Sequence, residues 1–238
     1  MNGAGRYLSG APVQAALIDL DGTLLDTLPD LARAARAMLS ELGLADLQGE
    51  AIGSFVGKGV GNLVRRCLDA SCATVPDYAL HAAALESFER HYQRCNGDES
   101  LVYPGVREGL AAMRSDGIWL ACVTNKAARF ALPLLSRSGL APFFDAVVTP
   151  ERVARPKPHP EPYLEACRML QTSPAESVVI GDSGIDGEAA RGAGCRYLLV
   201  PYGFREGLAL REIESDGIVA TLLEAASLIR SKPNQDPE

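Results

Sequence analysis

Short apolar runs recur along the chain, separated by stretches with helical periodicity. Val13–Asp19 (VQAALID), Ile118–Thr124 (IWLACVT), Phe144–Thr149 (FDAVVT), Ser177–Asp182 (SVVIGD) and Arg196–Tyr202 (RYLLVPY) are apolar on both faces and closed by polar, glycine or proline residues. Strands buried on both sides of a parallel sheet read this way, whereas half-exposed strands alternate. Trp119 falls within the second run and is expected in the strand core. Apolar residues at helical spacing fill Val106–Ser115, Ala127–Ser138, Pro160–Leu170 and Gly187–Ala193. This alternation predicts an α/β fold with a parallel sheet.

The interval from Asp19 to Ile118 breaks the rhythm, because a crossover between parallel strands needs only about a dozen residues. Leu28–Leu42, Asn62–Cys72 and Tyr78–Tyr92 within it have helical spacing. The interval therefore reads as a helical domain inserted after the first strand, with the chain returning at Asn96-Gly97-Asp98 and Tyr103-Pro104-Gly105. The expected division is a catalytic core over 13–28 and 100–230 and a helical insert over 29–99. Residues 1–12 and 231–238 are expected to be disordered.

With 238 residues, 47% of them hydrophobic and 22% charged, the chain has enough apolar surface for a real core, which excludes disorder as its main state. Its formal charge is 23 − 30 = −7, which argues against a nucleic-acid partner. No apolar run approaches the ~20 residues that span a bilayer, so no membrane partner is expected. The polar, glycine-rich start has no apolar signal core, and the expected location is cytoplasmic. Cys67, Cys72, Cys95, Cys122, Cys167 and Cys195 form no CxxC pair and read as small core residues.

The chemistry lies at the strand ends. Asp19-Leu20-Asp21-Gly22-Thr23 closes the first run, Thr124-Asn125 the second, and Gly181-Asp182-Ser183 a later one, with Asp186 four residues beyond Asp182. Lys157 sits between prolines in Arg155-Pro156-Lys157-Pro158-His159-Pro160. Ligands of parallel α/β sheets bind outside the carboxyl ends of the strands, where these residues converge. Concentrated carboxylates repel one another unless a cation joins them, and an all-oxygen set suits Mg²⁺. Such a cation, a lysine, a hydroxyl and an amide together suit a phosphoryl group.

These segments, in this order, resemble the four motifs of the haloacid dehalogenase superfamily across roughly residues 14–225. The resemblance implies a Rossmann-like core with a helical cap. It implies Asp19 as nucleophile through an aspartyl-phosphate, and Asp21 as general acid and base. Asp19, Asp182 and Asp21, the last through its backbone carbonyl, would hold Mg²⁺, with Asp186 supporting the metal's waters. Thr124 and Asn125 would donate to phosphoryl oxygens, and Lys157 would neutralise nucleophile and phosphate. Members that displace halide lack an acid at the position of Asp21, so its presence implies phosphoryl transfer.

Within the insert, Ser54 to Arg66 (SFVGKGVGNLVRR), together with Leu24-Leu25-Asp26-Thr27 and Pro29-Asp30-Leu31, resembles bacterial phosphoglycolate phosphatases. This implies a small phosphorylated metabolite, 2-phosphoglycolate, as substrate, with Lys58 or Arg66 meeting its carboxylate. The alternatives are a sugar-phosphate phosphatase or a phosphomutase of the β-phosphoglucomutase type. The glycines at 57, 59 and 61 do not follow a strand, so a dinucleotide loop is not indicated. The enzyme is expected as a monomer or homodimer.

Overall fold

The computed structural model describes residues 12–230. In chain order these form β1 (Ala15–Ile18), β2 (Leu25–Asp26), α1 (Leu28–Glu41), α2 (Gly49–Gly53), α3 (Val60–Ser71), α4 (Tyr78–Cys95), β3 (Leu101–Val102) and α5 (Val106–Ser115). There follow β4 (Trp119–Val123), α6 (Ala128–Arg137), β5 (Ala146–Val148), α7 (Glu161–Leu170), β6 (Ser177–Gly181), α8 (Gly184–Ala193), β7 (Arg196–Leu199), β8 (Gly217–Ile218) and α9 (Leu222–Arg230). Of the termini expected to be disordered, residues 1–11 and 231–238 lie outside the described residues.

Six strands form one sheet in the order β5-β4-β1-β6-β7-β8, and every pairing is parallel. Strand periodicity divides β1 between two layers. Ala16 and Ile18 face a cluster with Leu110 and Met113 of α5, Leu134 of α6 and Leu222 of α9. Ala15 and Leu17 face the opposite cluster, with Tyr163 and Ala166 of α7 and Ala189 of α8. Helices thus cover both faces, as the doubly apolar strands require.

Trp119 departs from the expectation. As the first residue of β4 it stands at the amino edge of the sheet and is 52% exposed. Helix α8 begins three residues before the expected Gly187 because Ser183 caps it, accepting the Asp186 N–H. The cysteines behave as read: five of the six are buried and all are free thiols.

Helices α1 to α4 pack around their own apolar cluster, which includes Leu31, Met38, Leu63, Phe88 and Tyr92 and takes Phe130 from α6. The chain leaves and re-enters the core through a small antiparallel stem, with Leu25 opposite Val102 and Asp26 opposite Leu101. Fully buried Asp30 clasps the return path. Its carboxylate accepts the N–H groups of Gly97, Glu99 and Ser100, each at 3.0 Å, and the Ser100 hydroxyl at 2.6 Å.

Candidate active site

Sheet register assembles the site. Ile18 is level with Cys122 of β4 and Ile180 of β6, so the residues that follow emerge side by side at the carboxyl edge. These include Asp19, Thr124 and Asp182. The chain builds the sheet outward from β1 to β4 and β5, then returns to β6 on the other side, and ligands bind at such a reversal.

Asp19, Asp182 and Asp186 are 7%, 2% and 1% exposed, and one carboxylate oxygen from each lies within 4.8 Å of the others. Burial holds Asp19 well above the usual carboxylate range; Lys157 opposes this, and Asp186 and Asp182 reinforce it. Burial, with Asp186 next in weight, pushes Asp182 up to about 7. A donor set of three buried carboxylates fits a hard dication such as Mg²⁺, whose charge opposes the upward shifts of Asp19 and Asp182.

Two glycines make room for Asp182. Gly22 has φ +89°, and a Cβ there would collide with the Asp182 carboxylate; one at Gly203 would do the same. Asp182 is fixed between them. Its Oδ1 accepts the Thr23 hydroxyl at 3.0 Å, and its Oδ2 accepts the Phe204 N–H at 2.7 Å.

Lys157 spends all three ammonium protons. They go to Asp19 Oδ1 at 2.6 Å, Asp186 Oδ1 at 2.8 Å and the Val123 carbonyl at 2.9 Å. Burial draws its pKa down, but Asp186 and then Asp19 outweigh burial, and the net direction is upward. Asp186 also accepts from the Tyr163 hydroxyl at 2.9 Å and the Ser183 hydroxyl at 2.7 Å.

The acids divide into two groups. Asp186 joins Asp19 and Asp182, whereas the Asp21 side chain turns away from them. Its Oδ1 accepts from the Thr27 hydroxyl at 2.7 Å, and Lys126 Nζ donates to both its oxygens, at 2.8 and 3.0 Å. Only the backbone carbonyl expected of Asp21 is left for the metal.

Lys126 was not anticipated. It is 4% exposed, and its Nζ also lies 5.0 Å from the ring centroid of Tyr92 in α4. Burial alone would lower its pKa, but Asp21 reverses the direction. The available signal was a lysine directly after the Thr124-Asn125 pair and before the apolar face of a helix.

Asn125 is not free to serve phosphate with its side chain. Both amide protons are engaged, by the Gly57 carbonyl of the insert at 3.0 Å and the Lys157 carbonyl at 2.9 Å. Its Oδ1 accepts the Lys157 N–H at 3.0 Å. The residue clamps the insert and the lysine loop onto the strand end. The Thr124 hydroxyl accepts the Lys126 N–H at 3.1 Å, which leaves its own proton available for an anion.

These groups line a cavity of about 40 Å³, on the scale of a few water molecules. Leu31, Val56, Val60 and Leu63 of the insert roof it, and Phe204 and Arg205 close one side. Neither Lys58 nor Arg66 lines it. Arg66 donates to the Ser54 carbonyl at 2.7 Å and stacks on Phe55 at 4.4 Å, which holds it to its own helical unit. Lys58 borders a separate surface cleft with Glu188, Arg191 and Glu214.

A protein-family model described as haloacid dehalogenase-like hydrolase matches residues 16–200. A phosphoglycolate phosphatase of Nitrosospira multiformis is 47% identical over 219 residues, covering 92% of this chain and 96% of that protein. One from Thiobacillus denitrificans is 43% identical over 218 residues, covering 92% and 96%. The crystal structure of a predicted phosphoglycolate phosphatase from Haemophilus somnus superposes with a TM-score of 0.87 at 27% identity, covering 92% of this chain and 98% of that one. With the motifs on one sheet edge and relatives matching nearly end to end, the chain belongs to the haloacid dehalogenase-like hydrolase family.

Proposed function

We propose that this protein is a cytoplasmic, Mg²⁺-dependent phosphatase that hydrolyses 2-phosphoglycolate to glycolate and phosphate. The observation that carries the reading is Asp19 itself: a buried carboxylate at the sheet edge, held by Lys157 at 2.6 Å on the wall of the cavity. The names of its relatives give the ester its identity.

Lys157 fixes Asp19 Oδ1, and Oδ2 accepts no hydrogen bond among the described residues, so Oδ2 is the oxygen that attacks phosphorus. The attack forms an aspartyl-phosphate and releases the alkoxide, dividing hydrolysis into two easier steps. Asp21, two residues on, supplies the leaving oxygen with a proton and then takes one from the water that cleaves the acyl-phosphate. Thr124 donates its hydroxyl proton to a phosphoryl oxygen. Asp19, Asp182 and Asp186 would hold Mg²⁺ with the Asp21 carbonyl, and the ion would supply charge neutralisation for the incoming phosphate. The apolar roof keeps bulk water from the intermediate.

The names of the relatives favour 2-phosphoglycolate over the sugar-phosphate alternatives. The test is phosphate release, with and without Mg²⁺, from 2-phosphoglycolate, glycerol phosphates, hexose 6-phosphates and nucleoside monophosphates. A preference of ~100-fold in kcat/KM for 2-phosphoglycolate, about 2.7 kcal/mol, supports the assignment. A hexose phosphate in first place overturns it. Asp19→Asn abolishes turnover of every ester.

A further inference from the structure

The two lysines of the cavity are already committed, Lys157 to Asp19 and Asp186 and Lys126 to Asp21. The third cation on its wall is Arg205. Its Nε is fully buried and has no hydrogen-bond partner among the described residues. A buried donor without an acceptor costs about 1–3 kcal/mol, so its persistence in a cavity wall points to an acceptor that arrives from outside the chain.

The backbone delivers this side chain deliberately. Arg205 has φ +52°, a left-handed conformation that costs a non-glycine residue roughly 1–2 kcal/mol. The strain is sustained because the residues just before Arg205 are anchored. Phe204 donates its N–H to Asp182, and the Tyr202 hydroxyl donates to the Thr23 carbonyl at 3.0 Å. Strained backbone of this kind gathers at ligand clamps.

We infer that Arg205 is the residue that selects the substrate, binding the anionic group at the end of the ester away from phosphorus. On the proposed function, on which this inference rests, that group is the carboxylate of 2-phosphoglycolate, one methylene beyond the ester oxygen. A guanidinium presents paired N–H donors that match a carboxylate, and the apolar lining from Val56, Val60 and Ile185 strengthens the contact by keeping water away. The role expected of Lys58 or Arg66 passes to a residue of the core, on the loop that also grips Asp182.

The test compares kcat/KM on 2-phosphoglycolate with that on ethyl phosphate, which lacks the carboxylate, for wild type, Arg205→Gln, Arg205→Lys and Arg205→Gly. The glycine variant suits φ +52° and separates loss of the side chain from distortion of the loop. The ratio of the two kcat/KM values falls at least 30-fold in the glutamine and glycine variants. Lysine restores part of it, since it keeps the charge and loses the fork. Thermal midpoints, measured with and without Mg²⁺, report whether the Asp182 loop has been disturbed. An unchanged ratio overturns the inference, whether both esters slow equally or neither does. Failure of the proposed function shows differently: wild type then prefers another ester in the panel. A second pair, 3-phosphoglycerate against glycerol 3-phosphate, asks the same question of Arg205 independently of that outcome.

Discussion

Replacing Asn125 by alanine separates two readings of the residue that the family motif leaves joined. If its side chain donates to phosphate, the loss appears in phosphate binding and leaves stability alone. The geometry says otherwise, because three hydrogen bonds tie it to Gly57 and Lys157. At about 1 kcal/mol net for each neutral bond, the clamp contributes up to about 3 kcal/mol. For a chain of this size that lowers Tm by roughly 6–12 °C. Two of the three bonds hold the Lys157 backbone, and so the ammonium on Asp19. If the ~2 kcal/mol they supply is lost from the transition state, kcat/KM drops about 30-fold. Asn125→Asp is the sharper variant. It keeps an acceptor for the Lys157 N–H and turns a second oxygen toward two carbonyls, so it loses at least as much as alanine. Thermal unfolding, steady-state kinetics and product inhibition by inorganic phosphate give the three readouts. A Tm within about 1 °C of wild type, combined with weakened phosphate inhibition, would refute the clamp.

Other expectations follow from the buried charges. Lys126→Met leaves Asp21 partly buried with only Thr27 as partner; losing one member of such a pair costs about 3–5 kcal/mol in urea unfolding, and Lys126→Met with Asp21→Asn recovers part of it without activity. A single variant as stable as wild type would show that the pair contributes nothing. Asp30→Ala removes four hydrogen bonds to one carboxylate and lowers stability by about 3 kcal/mol or more; a loss under about 1 kcal/mol would mean that water replaces the clasp. For Asp182, burial raises the folded value from 3.8 to about 7, so the folded state binds its proton more tightly than the unfolded chain does. Metal-free stability therefore falls as pH rises from about 4 to about 7, and the Tm increase on adding Mg²⁺ is larger at pH 8 than at pH 5. An Mg²⁺ shift that is flat across that range would contradict the assignment of Asp182 as a ligand.

The doubly apolar runs identified five of the sheet strands, because continuous hydrophobicity admits few other environments. Strands β2 and β3 have two residues each, too few to show a period, and their pairing depends on where the insert leaves and rejoins. The start of α8 was legible in principle: Ser183 followed three residues later by Asp186 is a capping pattern, but Gly184 and Gly187 obscured it. Asp19 and Asp182 were recognisable because each closes a strand, and Lys157 because prolines flank it. Lys126 and Arg205 were not. A charged residue beside a motif reads as solvated until the packing around it is known, and 4% exposure is a tertiary fact. Lys58 and Arg66 lie outside the cavity lining. Their glycine-rich context indicated a close approach to the core, yet spacing along the chain does not decide which way a long side chain leaves the backbone. Arg66 leaves toward Phe55.

The charges around the cavity explain why metal and substrate belong together. Four carboxylates, Asp19, Asp21, Asp182 and Asp186, face two lysines, and ionised together they leave a net charge of 2 − 4 = −2. The lysines do not share themselves evenly. Lys126 is matched to Asp21, and Lys157 bridges Asp19 and Asp186. Asp182 has only neutral donors in Thr23 and Phe204. The uncompensated charge therefore lies on the cluster whose oxygens converge within 4.8 Å. A dianionic phosphoryl group entering that field meets repulsion at short range in a low-dielectric site. A dication at the cluster brings the count to zero before the ester enters, and the same ion that binds the carboxylates makes the cavity tolerable to phosphate. That balance is reached without counting Arg205, whose charge on the same wall is left to meet an incoming anion.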